Sequence, residues 1–295
     1  MFAALPSNCL SGPISCHGGH SGQFCCHARD NLEQIIQAYV QKGFRAVGIT
    51  EHIPPLSDKF RYPDEAELGL TSADLHLRFD AYFTELARLQ KEYAGTIRIF
   101  RGMETETYSG YQDHVRQLIR RFRPDYIVGS VHHVKDVCFD FSEQEYHALA
   151  RDLGGMDELY KAYFDLQHEM IQTLRPFVVG HFDLIRIHDH DFEKRLKKPG
   201  IAARIDRNLA LVKSLGLVLD LNLRPLAKGK KRPYLVPVIL DKARQLGIPC
   251  VPGDDSHSKS QAGLNVDRAV ALLEQAGFPT RWPEPVLVTP KGENE

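Results

Sequence analysis

The sequence has no pair of cysteines spaced C-x-x-C; its six cysteines are Cys9, Cys16, Cys25, Cys26, Cys138 and Cys250. That spacing excludes a zinc ribbon, and adjacent Cys25 and Cys26 do not suit a disulfide framework, so reduced thiols are the reading. No apolar run approaches the ~20 residues that span a bilayer, so no membrane partner is expected. No basic stretch precedes an apolar core in MFAALPSNCLSGPISC, so no signal peptide is expected and a cytoplasmic location is. Charge of neither sign dominates. A net charge of -1 over 295 residues leaves no field that would draw the chain to nucleic acid or an anionic surface. Also absent are G-x-x-x-x-G-K-[ST], G-x-G-x-x-G and G-x-S-x-G, which removes the phosphate loop, the dinucleotide fold and the serine-hydrolase elbow. There is no internal repeat, low-complexity segment or linker.

What remains is an alternation of short apolar runs with amphipathic stretches, the pattern of parallel strands joined by helices. Strands are expected at Ala46–Thr50, Ile97–Met103, Tyr126–Val131, Phe177–Gly180, Leu217–Leu221 and Pro249–Gly253, with a last short one at Val286–Thr289. Helices are expected from a capping box at Asp30 and Glu33 up to Gly43, then at Ala73–Tyr93, Tyr111–Phe122, within Glu143–Leu174, and at Ile201–Leu215, Val236–Leu246 and Asn265–Ala276. One α/β barrel-like domain over residues 1–295 accounts for this, with the lead 1–12 and the tail 291–295 frayed.

The chain has 14 histidines, and several sit beside carboxylates just after these apolar runs. Glu51 and His52 follow the first strand, Glu104 the second, His132 and His133 the third. His181 follows the fourth, with Asp183 two residues on, and Asp254, Asp255 and His257 follow Pro249–Gly253. In a parallel barrel every strand ends on the same face, where the loops build the active site. Any one of these residues alone reads as a loop or capping side chain; five strand ends together read as a metal site. His76, His114, His147 and His168 fall within helical patterns, and His188 and His190 in a polar loop, so they are set aside. Imidazole and carboxylate without thiolate suit Zn, Mn or Fe, and so many ligands imply two or three ions. Such a cluster can activate a water and clamp a phosphoryl group.

The stretches HSGQFCCHARDNLEQ, ITEHIPP, RYPDEAELG, GMETE, YIVGSVHHV, VVGHFDL and GDDSH resemble, in order, those of the polymerase-and-histidinol-phosphatase (PHP) family, and within it the fungal histidinol-phosphatase branch. The resemblance implies a distorted (β/α)7 TIM-like barrel. It implies metal ligands at His20, His52, Glu104, His132, His181, Asp255 and His257, with His27 or Glu51 near the same cluster. Asp255, His257 and Glu104 would serve catalysis. The implied reaction is hydrolysis of L-histidinol phosphate, a small-molecule ester, in histidine biosynthesis.

Two departures stand out. The family opens with an H-x-H pair, but here His17-Gly18-Gly19-His20 puts Gly18 where a ligand belongs. A bulge at the glycines would let His17 supply the imidazole. The family's phosphate-binding arginine falls on Ala227, leaving Arg224 or Lys228 to substitute, among the neighbouring Lys230, Lys231 and Arg232. Two alternatives follow: a related phosphoesterase acting on another small ester or nucleotide, or a non-catalytic metal-binding regulator disabled at those two positions.

Overall fold

In the computed structural model, which describes residues 9–288, seven parallel strands form one sheet. They are β1 (Ile14–Gly18), β2 (Ala46–Ile49), β3 (Arg98–Glu104), β4 (Tyr126–Gly129), β5 (Val178–Val179), β6 (Val218–Asn222) and β7 (Cys250–Gly253), each bonded to the next in chain order. Helices lie between successive strands, at Leu32–Gln41, Ser72–Glu92, Tyr111–Phe122, Glu143–Asp152 with Met156–Leu174, Pro199–Leu215 and Pro237–Leu246, and Val266–Gln275 follows β7. Helices on the outer face and side chains within bury the strands on both sides, which is why they read as apolar runs. β1 and β7 share no ladder, but the ring nearly closes: Asp255 N–H donates to the His17 carbonyl at 2.8 Å and His20 N–H to Ser256 at 2.8 Å. The sheet is thus the expected distorted seven-stranded (β/α) barrel in a single α/β domain.

Close packing inside the ring explains two of its glycines. The Tyr126 hydroxyl crosses the interior to the Cys16 carbonyl at 2.7 Å, and a Cβ on Gly48 would sit 1.7 Å from that hydroxyl. A Cβ on Gly253 would lie 2.1 Å from Asp220 Oδ1 and 2.8 Å from His17 Cβ. Neither position has room for a side chain.

Several boundaries differ from the sequence reading. The first helix is capped by Asn31 with Gln34, not Asp30 with Glu33, because Asp30 is held left-handed at φ 65° and its carboxylate accepts from Lys259 N–H instead. β1 went unread because Ser15, His17 and Gly18 interrupt its apolar residues, and a hairpin, His133–Val134 with Val137–Cys138, because each of its strands has two residues. The expected strand at Val286–Thr289 does not form over 286–288, and Thr289 lies outside the described residues. Nor is the lead frayed throughout. Cys9–Leu10 pairs antiparallel with Trp282–Pro283, and the buried Trp282 indole donates to the Gly12 carbonyl. The tail 291–295 lies outside the described residues. Among those residues, no helix is long and apolar enough to cross a membrane.

Candidate metal centre

The site begins with the irregularity in β1. Its register against β2 shifts between Ser15 and Gly18, a bulge that turns the wholly buried His17 into the barrel mouth. Nδ1 of His17 meets Asp220 Oδ2 at 2.8 Å, and Nε2 points to Glu104 Oε1 at 3.2 Å. Gly19 then adopts φ 69°, and its missing Cβ, which would lie 2.5 Å from Ile49 Cδ1, lets the chain bring in His20. His20 is also wholly buried, 3.4 Å from Glu51, 3.7 Å from Glu104 and 3.5 Å from Asp255.

Other strand ends complete the floor. His132 places Nε2 3.2 Å from His181 Nε2, and both nitrogens face Glu104 Oε1, at 3.4 and 3.0 Å. Glu104 is oriented by the Ser130 hydroxyl at 2.6 Å. Potential donor atoms fall within 4.8 Å of one another in several sets: His17, His20 and Glu104; His17, His181 and Asp255; Glu104, His132 and His181; His52, Glu106 and His132; and His20, Cys25, His52 and His257.

The electrostatics are those of a site built for cations. Nε2 of His17, both nitrogens of His20, Nδ1 of His52 and of His181, and Glu51 Oε2 are buried with no aligned hydrogen bond. The short distances to carboxylates are therefore contacts without hydrogen-bond geometry, an arrangement that an interposed cation satisfies. Burial disfavours charge on Glu104 and Asp255, yet the imidazoles around them, His17 foremost, hold both carboxyls well below the usual range. Burial likewise opposes a charge on His20, but Asp255 and Glu51 lift it to about 9. His257 goes the other way: burial, then His20 and Arg224, hold it well below its ordinary value. Its Nδ1 lies 3.0 Å from the Asp255 carbonyl, so the neutral ring donates there and leaves Nε2 bare.

Not every expected residue joins a donor set. Glu51 accepts the N–H and hydroxyl of Ser21 at 2.7 and 3.0 Å and only flanks His20. His27 contacts Asp64 at 3.2 Å and packs its ring 5.1 Å from that of His257, at the edge of the cluster. Two strand-end acids are structural. Asp183 accepts from the N–H groups of Leu235 and Val236 and pairs with Arg186; Asp254 accepts from Ser15, Tyr39 and the Gly263 N–H. The set-aside His114 is buried and bonds the Pro54 carbonyl, away from the cluster.

The sequence reading missed Glu106, which contacts His132, His133 and His52 at 2.9, 3.2 and 3.3 Å. Its two-residue spacing from Glu104 in GMETE was the available signal. Asp220 and Cys25 were missed as well. Cys25 corrects the expectation of a set without sulfur near it; burial, with Glu51 beside it, pushes its thiol pKa well up.

Above the floor lies a cavity of about 260 Å³, lined by His27, His52, His132, His181 and His257 together with Tyr62, Asp140, Phe141, Arg224, Lys228 and Tyr234. Arg224 is held by Gln261 at 2.8 Å. Lys230 and Lys231 instead line a neighbouring surface cleft, and Arg232 pairs with Glu193.

Comparison with known proteins agrees with this geometry. The PHP domain model matches residues 17–224. A probable histidinol-phosphatase of Schizosaccharomyces pombe is 36% identical over 270 residues, 90% of this chain and 87% of that protein. The crystal structure of a putative histidinol phosphatase from Listeria monocytogenes superposes with a TM-score of 0.76 at 24% identity, over 86% of this chain and 99% of that one. A histidinol phosphate phosphatase from Lactococcus lactis, solved with Zn, L-histidinol and phosphate, gives 0.68 at 20% identity, over 90% and 94%. The chain belongs to the PHP domain family.

Proposed function

We propose that this member of the PHP domain family hydrolyses L-histidinol phosphate to L-histidinol and phosphate with two or three divalent ions of zinc, manganese or iron. The observation that carries the reading is the convergence of imidazole and carboxylate donors from six of the seven strand ends under a cavity with two basic side chains. The substrate is supported by the histidinol-phosphatase at 36% identity and by the Lactococcus protein solved with L-histidinol and phosphate.

Bound in such a donor set, divalent cations lower the pKa of a water and clamp phosphoryl oxygens. The protein's part is positioning. His17, His20, His52, Glu104, His132, His181, Asp255 and His257 would hold the ions, with Glu106 as a further donor toward His52 and His132. Glu51 adds negative charge beside His20, and His27 closes the near edge. Glu104, Asp255 and His257 would position the attacking water. Arg224 takes the phosphate through its guanidinium fork and Lys228 adds a point charge. Burial and then Arg224 lower the Lys228 pKa, and solvent at this exposed side chain limits the effect.

The regulator alternative depended on vacancies at Gly18 and Ala227. His17 turns Nε2 toward Glu104 and Arg224 lines the cavity, which supports a working site over a disabled one. A cytoplasmic location is supported by the thiols Cys16, Cys25, Cys26, Cys138 and Cys250, none of them in a disulfide. The test is phosphate release from L-histidinol phosphate, a nucleoside monophosphate and an aryl phosphate, before and after chelation and with each metal restored. Activity should vanish on chelation, return with metal and favour L-histidinol phosphate. Full turnover by metal-free protein would remove the ions from the mechanism, and equal rates on nucleotides would remove the substrate.

A further inference from the structure

We infer that Asp140 receives the ammonium group of the substrate and so determines which phosphate esters the site accepts. The inference rests on L-histidinol phosphate being the substrate. That molecule carries a phosphate at one end and an ammonium on the adjoining carbon, next to an imidazole side arm. A site that encloses it needs cations for the phosphate and a carboxylate for the ammonium, since a desolvated charge without a partner is costly.

Three carboxylates line the cavity: Glu104, Asp140 and Asp255. Glu104 is committed to His17, His132 and His181, and Asp255 to His20 and the Asn222 amide at 3.1 Å. Among the described residues Asp140 accepts only from the Cys138 thiol, at 3.3 Å, a weak donor. No salt bridge joins it to a lysine or arginine among the described residues; Lys228, which with Arg224 lines the same cavity, acts on it only through longer-range charge. A half-buried carboxylate with its acceptors so little used is the partner an ammonium lacks elsewhere in this pocket.

The backbone holds Asp140 in place for this. The hairpin after His132–His133 folds back so that Phe139 N–H bonds the His132 carbonyl at 3.0 Å, and the Phe139 ring is fully buried. Asp140 is therefore one residue from an anchor that is itself tied to the metal floor. Phe141, which follows, lines the cavity with 45% of its surface exposed, and with Leu184 and Ile187 offers apolar surface to the substrate's side arm.

The test compares wild type and Asp140→Asn on three esters: L-histidinol phosphate, its analogue lacking the amino group, and 4-nitrophenyl phosphate. Loss of one charge-assisted hydrogen bond should cut kcat/KM on L-histidinol phosphate about 10–100-fold, mainly through KM. The variant should match wild type on the other two esters and no longer distinguish the amino from the des-amino ester. Asp140→Glu should recover part of the loss. If Asp140→Asn keeps the wild-type preference for the amino ester, or loses all three activities alike, the assignment is overturned. Wild type that fails to turn over L-histidinol phosphate overturns the substrate itself, a result visible without any variant.

Discussion

Replacing Asp220 with asparagine should weaken metal binding about tenfold while the barrel still folds. Asp220 Oδ2 collects three donors: His17 Nδ1 at 2.8 Å, the Asn222 amide at 2.9 Å and the His181 N–H at 3.2 Å. The first of these fixes the His17 tautomer and aims Nε2 at Glu104, which is how a histidine one place out of register can act as a ligand. Asparagine keeps the shape and an acceptor but loses the charge. A charge-assisted bond is worth about 1.5–3 kcal/mol and a neutral one about 0.5–1.5, so the difference is about 1–1.5 kcal/mol, or about tenfold in affinity. Alanine removes the acceptor and strands three buried donors, so Asp220→Ala should cost about 100-fold in affinity and about 2–4 kcal/mol in stability. Competition against a chromophoric chelator, with bound metal counted by elemental analysis, reads this directly. A double-mutant cycle locates the effect: added to His17→Ala, Asp220→Asn should do little more, whereas His76→Ala should change nothing. Unchanged affinity in Asp220→Asn, or full additivity with His17→Ala, would refute the argument that Asp220 acts through His17.

Two further outcomes are expected. His257→Ala and Glu104→Ala should each lower kcat by about 100-fold or more, since on the proposed mechanism they would position the water and ions rather than fill the core; variants that fold by circular dichroism and keep near-normal turnover would take that residue out of the site. Asp189→Asn tests an ion pair at the neighbouring surface cleft, where Asp189 meets Arg195 at 2.6 Å and the Tyr160 hydroxyl at 3.0 Å. Burial disfavours the Asp189 charge, but Arg195 and the Asp191 N–H overcome it and hold the carboxyl below its usual range. A depressed folded-state pKa stabilises above the unfolded value, about 4, and that contribution fades as pH falls through it toward the folded pKa. The variant should be about 2 kcal/mol less stable than wild type at pH 7 in urea melts, with the gap narrowing below pH 4. A gap as wide at pH 3 as at pH 7 would contradict the ion pair.

The strand-end rule made much of the donor floor legible, because a polar residue following an apolar run is visible in a linear pattern. His52, Glu104, His132, His181, Asp255 and His257 were found that way, and all fall within donor sets. The rule cannot see a residue inside a strand. Asp220 and Asn222 alternate with Leu219 and Leu221 in a short apolar stretch, and only the closed ring shows that their side is the one facing His17. The rule also cannot tell an acid that faces imidazole from one that fastens the chain. Asp183 and Asp254 follow strands just as Asp255 does, yet backbone N–H groups and hydroxyls take up their oxygens.

The distinction lies in partner chemistry rather than position. An acid whose acceptors meet aligned N–H or O–H donors is already satisfied, and it gains nothing from a cation. Glu104 and Asp255 each take one such bond, from Ser130 and Asn222, but also lie against histidine nitrogens at contact distance that are unaligned, and burial keeps water from making up the deficit. Such a deficit requires positive charge, and in metal-free protein the histidines supply it: Glu106 and Glu104 raise His132 well above its ordinary pKa against the opposing effect of burial. Divalent ions would take over that role and release those protons. Asp140 satisfies neither description. Among the described residues its one hydrogen-bond donor is a weak thiol, and Lys228 and His188 act on it only through longer-range charge, which leaves a charge arriving with the substrate as its natural close partner.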